Sequence, residues 1–330
     1  MDKGLKLAAA MLCAVVLGAC GKGGGDAAAK ADAITVGFSQ VGAESEWRTA
    51  NTRSVKEALV APEFNLKFSD AQQKQENQIK ALRSFIAQDV DVIAFSPVVE
   101  SGWETVLREA KVANIPVVLT DRAVDVSDDS LYTTLIGSDF VEEGRRAARW
   151  LLEDSASRKS SGAAGPVRIV ELQGTVGSAP AIDRMAGFKE VIGQDPRFAI
   201  VRSQSGDFTR AKGKEVMEAF LKAEGRDGID VLFAHNDDMA IGAIQAIEEA
   251  GLKPGEDIRI VSIDGVRGAF EAMKAGKLNA TVECNPLLGP QLAQIIRDVH
   301  AGKPVARRVE VEEGVFTRDQ AAAELPNRKY

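Results

Sequence analysis

Charged and hydrogen-bonding side chains follow several of the short apolar runs in this sequence. Such runs are typical of β strands, and ligands of open parallel sheets bind beyond the carboxyl ends of the strands. We therefore expect the polar residues at these positions to share one rim of the molecule. The candidate ligand-binding residues are Ser39, Glu44, Trp47, Arg48, Asp121, Arg122, Asp183, Arg184, Asn236, Asp264 and Glu283.

This mixture of side chains suits a small hydroxylated ligand such as a monosaccharide. Each hydroxyl both donates and accepts a hydrogen bond, a carboxylate accepts from two donors, and the fork of an arginine supplies two donors. The apolar face of a sugar ring packs on an aromatic plane. Taken alone, Asp183 and Asp237 also fit helix caps and Arg48 fits a solvated helix residue. The prediction therefore depends on the group as a whole.

Other chemistries find little support in the sequence. Gly174 and Gly177 follow a predicted strand, but the third glycine of a dinucleotide loop is missing, and no phosphate-loop lysine–serine pair occurs. His235 and His300 belong to no cluster with metal-ligand spacing. Cys284 fits the core better than a nucleophile, and no Gly-x-Ser-x-Gly turn occurs. We predict a protein without enzymatic activity, cofactor or bound metal.

Glycoside hydrolysis stays open on the sequence alone, because paired carboxylates could serve it. The carboxylates here stand beside arginines, which favour the ionised form and so suit binding better than acid catalysis. The formal net charge of −7 argues against a nucleic-acid partner, since phosphate backbones call for a basic face. The 330 residues are enough for two domains of ordinary size.

The first twenty residues have the pattern of an export signal. Lys3 and Lys6 precede an apolar run over residues 7–19, which suits a signal peptide and is short for a membrane-spanning helix. Small residues lead into Cys20, an order that resembles a bacterial lipobox and predicts lipidation there. A plain secretory signal cleaved near Ala19 is the alternative. We expect residues 1–20 to be a lipoprotein signal peptide and residues 21–33 to be a flexible tether.

This reading places the protein outside the cytoplasm, in the periplasm or on the outer cell surface, anchored to a membrane through Cys20. Cys13 leaves with the signal and Cys20 carries lipid, so Cys284 remains alone and no internal disulfide forms. No later segment reaches the length of a membrane-spanning helix.

From residue 34 onward, short apolar runs alternate with amphipathic segments. Helices are predicted over residues 73–88, 208–223 and 239–250, with Asp207 as the N-cap of the second and Gly251 ending the third. Alternation of strands and helices implies parallel sheets, and this many units predict two α/β lobes. Residues 157–165 are expected to form a loop. The predicted strands cover residues 34–38, 66–68, 90–95, 116–119, 131–136, 167–172, 198–201, 231–234, 258–263 and 280–282.

Five segments are long and unusual: GFSQVG at 37–42, QQKQENQIK at 72–80, ELQGTVG at 171–177, RSQSGDFTR at 202–210 and AHNDDM at 234–239. With them the chain, from about residue 34 to its end, resembles the sugar-binding proteins of ABC importers, the ribose-binding-like group of type I periplasmic binding proteins. Within that group it is most similar to the galactofuranose binders. The resemblance implies two doubly wound parallel-sheet lobes joined by a hinge of three crossings, with sugar bound between them.

The resemblance also implies lobe boundaries and roles for single residues. Lobe 1 would comprise residues 34–138 and 285–311, and lobe 2 residues 139–284 and 312–330. Asp121 and Arg122 look like the pair that grips ring hydroxyls from lobe 1, and Trp47 looks like the stacking aromatic. Arg48 fits the galactofuranose-type pattern. Contacts from lobe 2 and the hinge would come from Arg184, Asn236, Asp264 and Glu283. Related ribose binders often carry an amide where Glu283 stands, which argues against ordinary ribose.

The implied function is capture of a monosaccharide, galactofuranose or a similar furanose or hexose, for an ABC permease and its ATPase subunits. We expect a monomer that meets the membrane only through its N-terminal lipid. A sensor that presents sugar to a chemoreceptor or a sensor kinase is an alternative, and a secreted carbohydrate-acting enzyme is another. A sugar-responsive transcription regulator shares the fold, but its N-terminal DNA-binding helices have no counterpart here, where the predicted signal peptide and tether stand.

Overall fold

The computed structural model describes residues 33–157 and 165–330. The predicted signal peptide, Cys20, nearly all of the tether and most of the predicted loop at 157–165 lie outside these residues. Within the described part of the chain, no helix has the length and apolar character needed to cross a bilayer.

Twelve strands of the described chain form two six-stranded sheets. The first sheet has the order β2-β1-β3-β4-β5-β11 and the second the order β7-β6-β8-β9-β10-β12. The strands of the first sheet are β1 Ile34–Gln40, β2 Phe64–Asp70, β3 Val92–Phe95, β4 Val117–Thr120, β5 Thr134–Gly137 and β11 Arg308–Glu310. Those of the second are β6 Val167–Gln173, β7 Phe198–Ser205, β8 Val231–Ala234, β9 Arg259–Asp264, β10 Ala280–Glu283 and β12 Val315–Thr317.

Ten α-helices of the described residues cover the faces of these sheets. The first sheet with its helices is called lobe 1, and the second sheet with its helices is called lobe 2. Lobe 1 carries α1 Glu46–Ala58, α2 Gln75–Ala87, α3 Glu104–Val112 and α9 Gly289–His300. Lobe 2 carries α4 Phe140–Ser157, α5 Ala179–Ile192, α6 Arg210–Glu224, α7 Asp237–Glu249, α8 Arg267–Lys274 and α10 Arg318–Glu324.

The two sheets have the same strand order, and this confirms the predicted fold class. In each, the first strand of the lobe lies between the second and the third, so the order reverses there and a doubly wound sheet results. All neighbouring strands run parallel except β12, which is antiparallel to β10. The carboxyl ends of the parallel strands in each lobe therefore meet at one edge, as the positions of the candidate residues require.

The core of lobe 1 is divided by its sheet into two layers. Val92 and Ala94 of β3 belong to the layer that includes Leu292 and Ile296 of α9. Their neighbours in the strand, including Ile93, belong to the other layer, which packs against α2 and α3. Because successive strand residues point to opposite faces, a strand with helices on both sides is apolar throughout.

The chain passes between the lobes three times within the described residues. The crossings lie at residues 138–139, between β5 and α4, at residues 284–288, between β10 and α9, and at residues 311–314, between β11 and β12. The three-crossing hinge expected from the resemblance is therefore present.

Helix α6 begins later than predicted, and the prediction that Asp207 caps it was wrong. Thr209 is the N-cap, and its side chain accepts a hydrogen bond from the backbone N–H of Lys212 at 3.2 Å. Asp207 and Phe208 have φ angles of 52° and 61°, which lie in the left-handed region and outside any helix. Helix α2 likewise begins at Gln75, after two residues with positive φ.

Candidate functional site

A narrow cavity lies where the carboxyl ends of the strands of both lobes meet, and its empty space of about 280 Å³ includes the solvent at its mouth. Eight of the eleven candidate residues line it. The lining residues are Glu44, Ser45, Trp47, Arg48, Asp121, Arg122, Pro180, Arg184, Phe208, Asn236, Asp264 and Cys284.

Arg48 organises the lobe 1 wall of this cavity. Its Nε donates to Glu44 Oε1 at 3.0 Å and its Nη2 donates to Asp121 Oδ2 at 2.8 Å. Its Nη1 donates to Gln40 Oε1 at 3.2 Å and to Ser96 Oγ at 3.3 Å. Burial disfavours the charged guanidinium, but the two carboxylates outweigh it and raise the pKa of Arg48. The wall is a charge-paired network that is already formed in this structure.

Local backbone geometry places Arg48 and its acidic partner Asp121. Ser45 caps α1 by accepting from the backbone N–H of Arg48 at 3.1 Å, so the guanidinium projects from the first turn of the helix. Asp121 follows β4 with a φ of 65°, in the left-handed region. Its backbone passes Gly137 so closely that a Cβ there would lie 2.6 Å from the Asp121 carbonyl oxygen. Glycine at 137 is therefore required for this placement.

Arg122 lies beside this network with part of its hydrogen-bonding capacity unused. Its Nη1 donates to the carbonyl of Val98 at 3.2 Å, and its Nη2 lies 3.9 Å from Glu44 Oε1. Burial and the neighbouring charge of Arg48 lower the pKa of Arg122 to about 10. Within the described residues, Arg122 Nε and Glu44 Oε2 are buried without a hydrogen-bond partner. Buried polar atoms are nearly always paired, so both atoms mark places for a ligand.

The lobe 2 wall holds Arg184 and Asp264. Arg184 Nη1 donates to the carbonyl of His235 at 2.6 Å, and Arg184 Nη2 lies 3.7 Å from Asp264 Oδ1. In the part of the chain that the structure describes, the Asp264 carboxylate accepts no hydrogen bond. Burial raises the pKa of Asp264 well above its ordinary value, and the charge of Arg184 does not offset this. At Asp264, burial therefore opposes the ionised form more strongly than the neighbouring arginine favours it.

Phe208 is an aromatic wall of the cavity that the sequence analysis placed in a helix instead. The guanidinium carbons of Arg122 and Arg184 lie 5.3 Å and 6.0 Å from the centre of its ring. Asn236 holds the loop by donating from Nδ2 to the Phe208 carbonyl at 3.1 Å, while its Oδ1 caps α7. A Cβ at Gly174 would overlap the Phe208 ring. The signal for Phe208 was Thr209, which as an N-cap leaves the phenylalanine in the loop.

Trp47 forms the second aromatic wall and is held at both ends. The guanidinium carbon of Arg48 lies 4.6 Å from the centre of its ring. Its Nε1 donates to the carbonyl of Cys284 at 2.6 Å, at the start of the second crossing. Cys284 is buried in the core, as predicted, and it also lines the cavity. Ser45 and Pro180 also line the cavity and were not among the candidates.

Three candidate residues lie outside the cavity. Ser39 is a buried strand residue within β1. Asp183 is next to Arg184 on α5, and burial together with the nearby charge of Asp139 raises its pKa. The Glu283 carboxylate is taken up by the C-terminal segment: Oε1 accepts from Arg328 Nη1 at 2.7 Å and from the Tyr330 hydroxyl at 3.0 Å.

Comparison with known proteins agrees with this architecture. Residues 36–304 match the family described as periplasmic binding protein domain. The chain belongs to this family. It is 50% identical over 298 residues to the galactofuranose-binding protein YtfQ of Escherichia coli (strain K12), covering 90% of this chain and 92% of that protein.

Two crystal structures with furanose ligands are also similar to this periplasmic binding protein. One, from Mycobacterium smegmatis in complex with β-D-fucofuranose, is 57% identical with a TM-score of 0.86, covering 90% of this chain and 96% of that one. The other is the binding protein component of the arabinose ABC transporter from Shewanella sp. ANA-3, bound to α- and β-L-arabinofuranose. It is 54% identical with a TM-score of 0.84, covering 89% of this chain and 95% of that one.

Proposed function

We propose that this protein captures a monosaccharide in furanose form between its two lobes and delivers it to the permease of an ABC importer. The observation that carries the proposal is the chemistry of the cavity. Buried polar atoms without partners, on Glu44 and Arg122, and the Asp264 carboxylate lie around a space flanked by the rings of Trp47 and Phe208. Hydroxyls of a sugar would pair with the polar atoms, and its apolar faces would contact the rings.

The furanose assignment is supported by the relatives. The E. coli protein is named for galactofuranose, and the two crystal structures hold fucofuranose and arabinofuranose. Each of the three matches about nine tenths of this chain. The eight cavity-lining candidates, together with Phe208, are the residues that we propose contact the sugar.

Closure of the lobes is the proposed capture step, and the structure is in a closed arrangement. The backbone N–H of Glu46 on α1 donates to Asp238 Oδ2 of lobe 2 at 2.7 Å. On the other side of the cavity, the backbone N–H of Glu100 donates to the carbonyl of Gly177 at 2.9 Å. A sugar that contacts both walls binds the closed form better than an open one, and so shifts the population towards it. Proteins of this class are known to close around their ligands by a hinge motion.

Calorimetric titration of the purified protein tests the ligand. The protein is first unfolded and refolded to remove sugar carried from the cell, then titrated with galactofuranose, arabinofuranose, fucofuranose, galactopyranose, ribose and glucose. We expect tight binding of one or more furanoses and weak binding of ribose and glucose. Equal affinity for furanose and pyranose forms would contradict the furanose assignment, and no binding to any sugar of the panel would contradict the site.

The proposal also covers the chemical fate of the sugar and the cellular location of the protein. We propose that the sugar is released chemically unchanged, which recovery of intact sugar after long incubation tests. Family membership indicates an exported protein, and we propose that Cys20 carries a lipid anchor. Metabolic labelling with a fatty acid, compared between wild type and Cys20→Ala, tests the anchor. Loss of sugar uptake in cells that lack the protein separates import from a purely sensory role.

A further inference from the structure

A buried polar cluster lies beneath the sugar cavity and joins the three crossings of the chain. It consists of Ser138 from the first crossing, Cys284 from the second, Glu313 from the third and Glu143 from α4. The Ser138 hydroxyl donates to Glu313 and lies 3.4 Å from the Cys284 sulfur. Glu313 Oε1 also accepts from the backbone N–H of Asn285 at 3.0 Å. The Glu313 carboxylate of the third crossing is therefore bound by one residue from each of the other two crossings.

Glu143 connects this cluster to the sugar cavity. Its side chain is 1% exposed, and its Oε2 accepts from Arg184 Nε at 2.7 Å. Ligating atoms of Glu143, Cys284 and Glu313 lie within 4.8 Å of one another. Glu143 thus binds the guanidinium that faces the cavity through Oε2 and lies beside the crossings, while its Oε1 has no hydrogen-bond partner among the described residues.

The direction of the Arg184 guanidinium depends on these contacts. Its Nε is held by Glu143 and its Nη1 by the carbonyl of His235, which leaves Nη2 towards Asp264 and the cavity. A guanidinium is a planar fork, so fixing two of its nitrogens fixes the third. Burial disfavours the charged form, but Glu143 and the other anionic groups around Arg184 outweigh it and raise its pKa.

We propose that Glu143 is a positioning residue for sugar recognition. Its carboxylate holds Arg184 Nε, so that Nη2 points into the cavity, and it does so from a place beside the three crossings. The inference rests on the proposed function, because its main readout is sugar affinity. It assigns a role to a residue that lies outside the cavity lining.

The Glu143→Gln variant tests this role. Glutamine keeps the size and one acceptor but loses the charge, so Arg184 is held less firmly. Outer partners that orient metal ligands change affinity by about 10- to 100-fold when replaced, and we expect a loss of that order in sugar affinity by calorimetry. The matched control is Glu142→Gln. Glu142 is the preceding residue of α4, its side chain is 30% exposed, and it pairs with arginines of its own helix. We expect no change in affinity for the control.

A double-mutant cycle with Arg184→Gln separates positioning from a merely structural effect. If Glu143 acts through Arg184, Glu143→Gln in the Arg184→Gln background changes affinity by less than about twofold, the additivity error of independent sites. If Glu143→Gln reduces sugar affinity in the Arg184→Gln background as much as it does in the wild type, the proposal is overturned. Urea unfolding of each ligand-free variant shows separately how much stability is lost.

A crystal structure of ligand-free Glu143→Gln decides the inference without any sugar. We expect the Arg184 guanidinium to turn away from the orientation set by Nε and Nη1. An unmoved guanidinium overturns the inference, whatever the affinity. Failure of the wild-type protein to bind any sugar would instead contradict the proposed function, and this structure would still decide the role of Glu143.

Discussion

The two lobes share one strand order but treat their cavity-facing carboxylates in opposite ways. In lobe 1, Asp121 accepts from Arg48 Nη2 at 2.8 Å and from the Ser96 hydroxyl at 3.1 Å. In lobe 2, Asp264 has no donor among the described residues, and its nearest cation, on Arg184, lies 3.7 Å away. Both side chains are about equally buried. The difference is one of partners and not of solvent exposure.

This contrast gives the two walls different roles in ligand binding. The lobe 1 wall is already charge-paired in this structure, so under the proposed function it would bind sugar with little loss of side-chain entropy. The lobe 2 wall has a buried carboxylate that accepts no hydrogen bond among the described residues, and the ligand would supply donors. With sugar on lobe 1 alone, Asp264 would face solvent, whereas closure would bring the sugar hydroxyls to it. The variants below test this division of work, from the largest expected effect to the smallest.

Arg48→Ala is expected to have the largest effect, on both stability and binding. It removes the closest cation from the buried carboxylates of Glu44 and Asp121 and leaves them only Arg122, at 3.9 Å and 3.6 Å. Breaking a buried pair in this way costs about 3–5 kcal/mol. Urea unfolding measures the stability and calorimetry the affinity. The control is Arg83→Ala, because the Arg83–Glu109 pair at 2.8 Å is 53% exposed on the arginine side, and such pairs contribute about 0–1 kcal/mol. Equal effects of the two variants would contradict a preformed lobe 1 wall.

Asp264→Asn is expected to separate binding from stability. Hydrogen bonds to charged groups contribute about 1.5–3 kcal/mol, so sugar affinity falls by about ten- to a hundredfold. The ligand-free variant, in contrast, should be more stable than wild type at pH 7 and above. The raised pKa of Asp264 means that its contribution to stability is present below its unfolded pKa of about 4 and is lost as the pH rises through its folded pKa.

Thermal unfolding of ligand-free protein between pH 4 and pH 9 measures this second effect. The difference between Asp264→Asn and wild type should be small near pH 4 and grow with pH. A loss of stability in the variant at high pH would show that Asp264 is already well paired without sugar, and the contrast between the lobes would disappear.

Gly174→Ala is expected to have an intermediate effect, confined to lobe 2. The added methyl overlaps the Phe208 ring, and overpacking of this kind costs about 1–3 kcal/mol. Because the ring is a wall of the cavity, affinity should fall together with stability. Gly314→Ala is the matched control, since its Cβ would meet the Phe316 ring at 3.7 Å, an ordinary van der Waals contact away from the cavity lining. Retained affinity in Gly174→Ala would remove Phe208 from the site.

Glu283→Gln is expected to have the smallest effect on binding. Its carboxylate pairs with Arg328 and Tyr330 and lies outside the cavity, so sugar affinity should stay within about twofold of wild type. Glu44→Gln, which changes a carboxylate that lines the cavity, should weaken binding clearly. Calorimetry on this pair shows whether position after a strand or contact with the cavity decides the role of a carboxylate.

Much of the site could be predicted because the carboxyl ends of parallel strands gather at one edge. That rule is local, and Asp121, Arg122, Asn236 and Asp264, which it singled out, line the cavity. Glu283 also follows a strand but lies outside the cavity lining, because its carboxylate pairs with residues near the end of the chain, more than forty residues away. No spacing in the sequence reports such a long-range pairing.

Glu143 was not predicted from the sequence for a related reason. It stands in the first turns of an amphipathic helix beside Glu142, and its burial depends on how α4 packs against α5. Phe208 was misplaced because its left-handed backbone is set by the loop and the Asn236 contact, whereas helical periodicity continued through it. Fold class follows from periodicity, but the partners of a side chain depend on tertiary packing.

The position of Trp47 gives the protein a built-in optical reporter. The chain has three tryptophans, and of these Trp47 alone lines the cavity in the described residues, while Trp103 is fully buried in the core of lobe 1. Its indole touches the Arg48 guanidinium on one side and the second crossing on the other. Its emission should therefore change whenever the lobes part or a ring comes to rest against it. Domain motion in this molecule can be timed by stopped-flow fluorescence with no label attached.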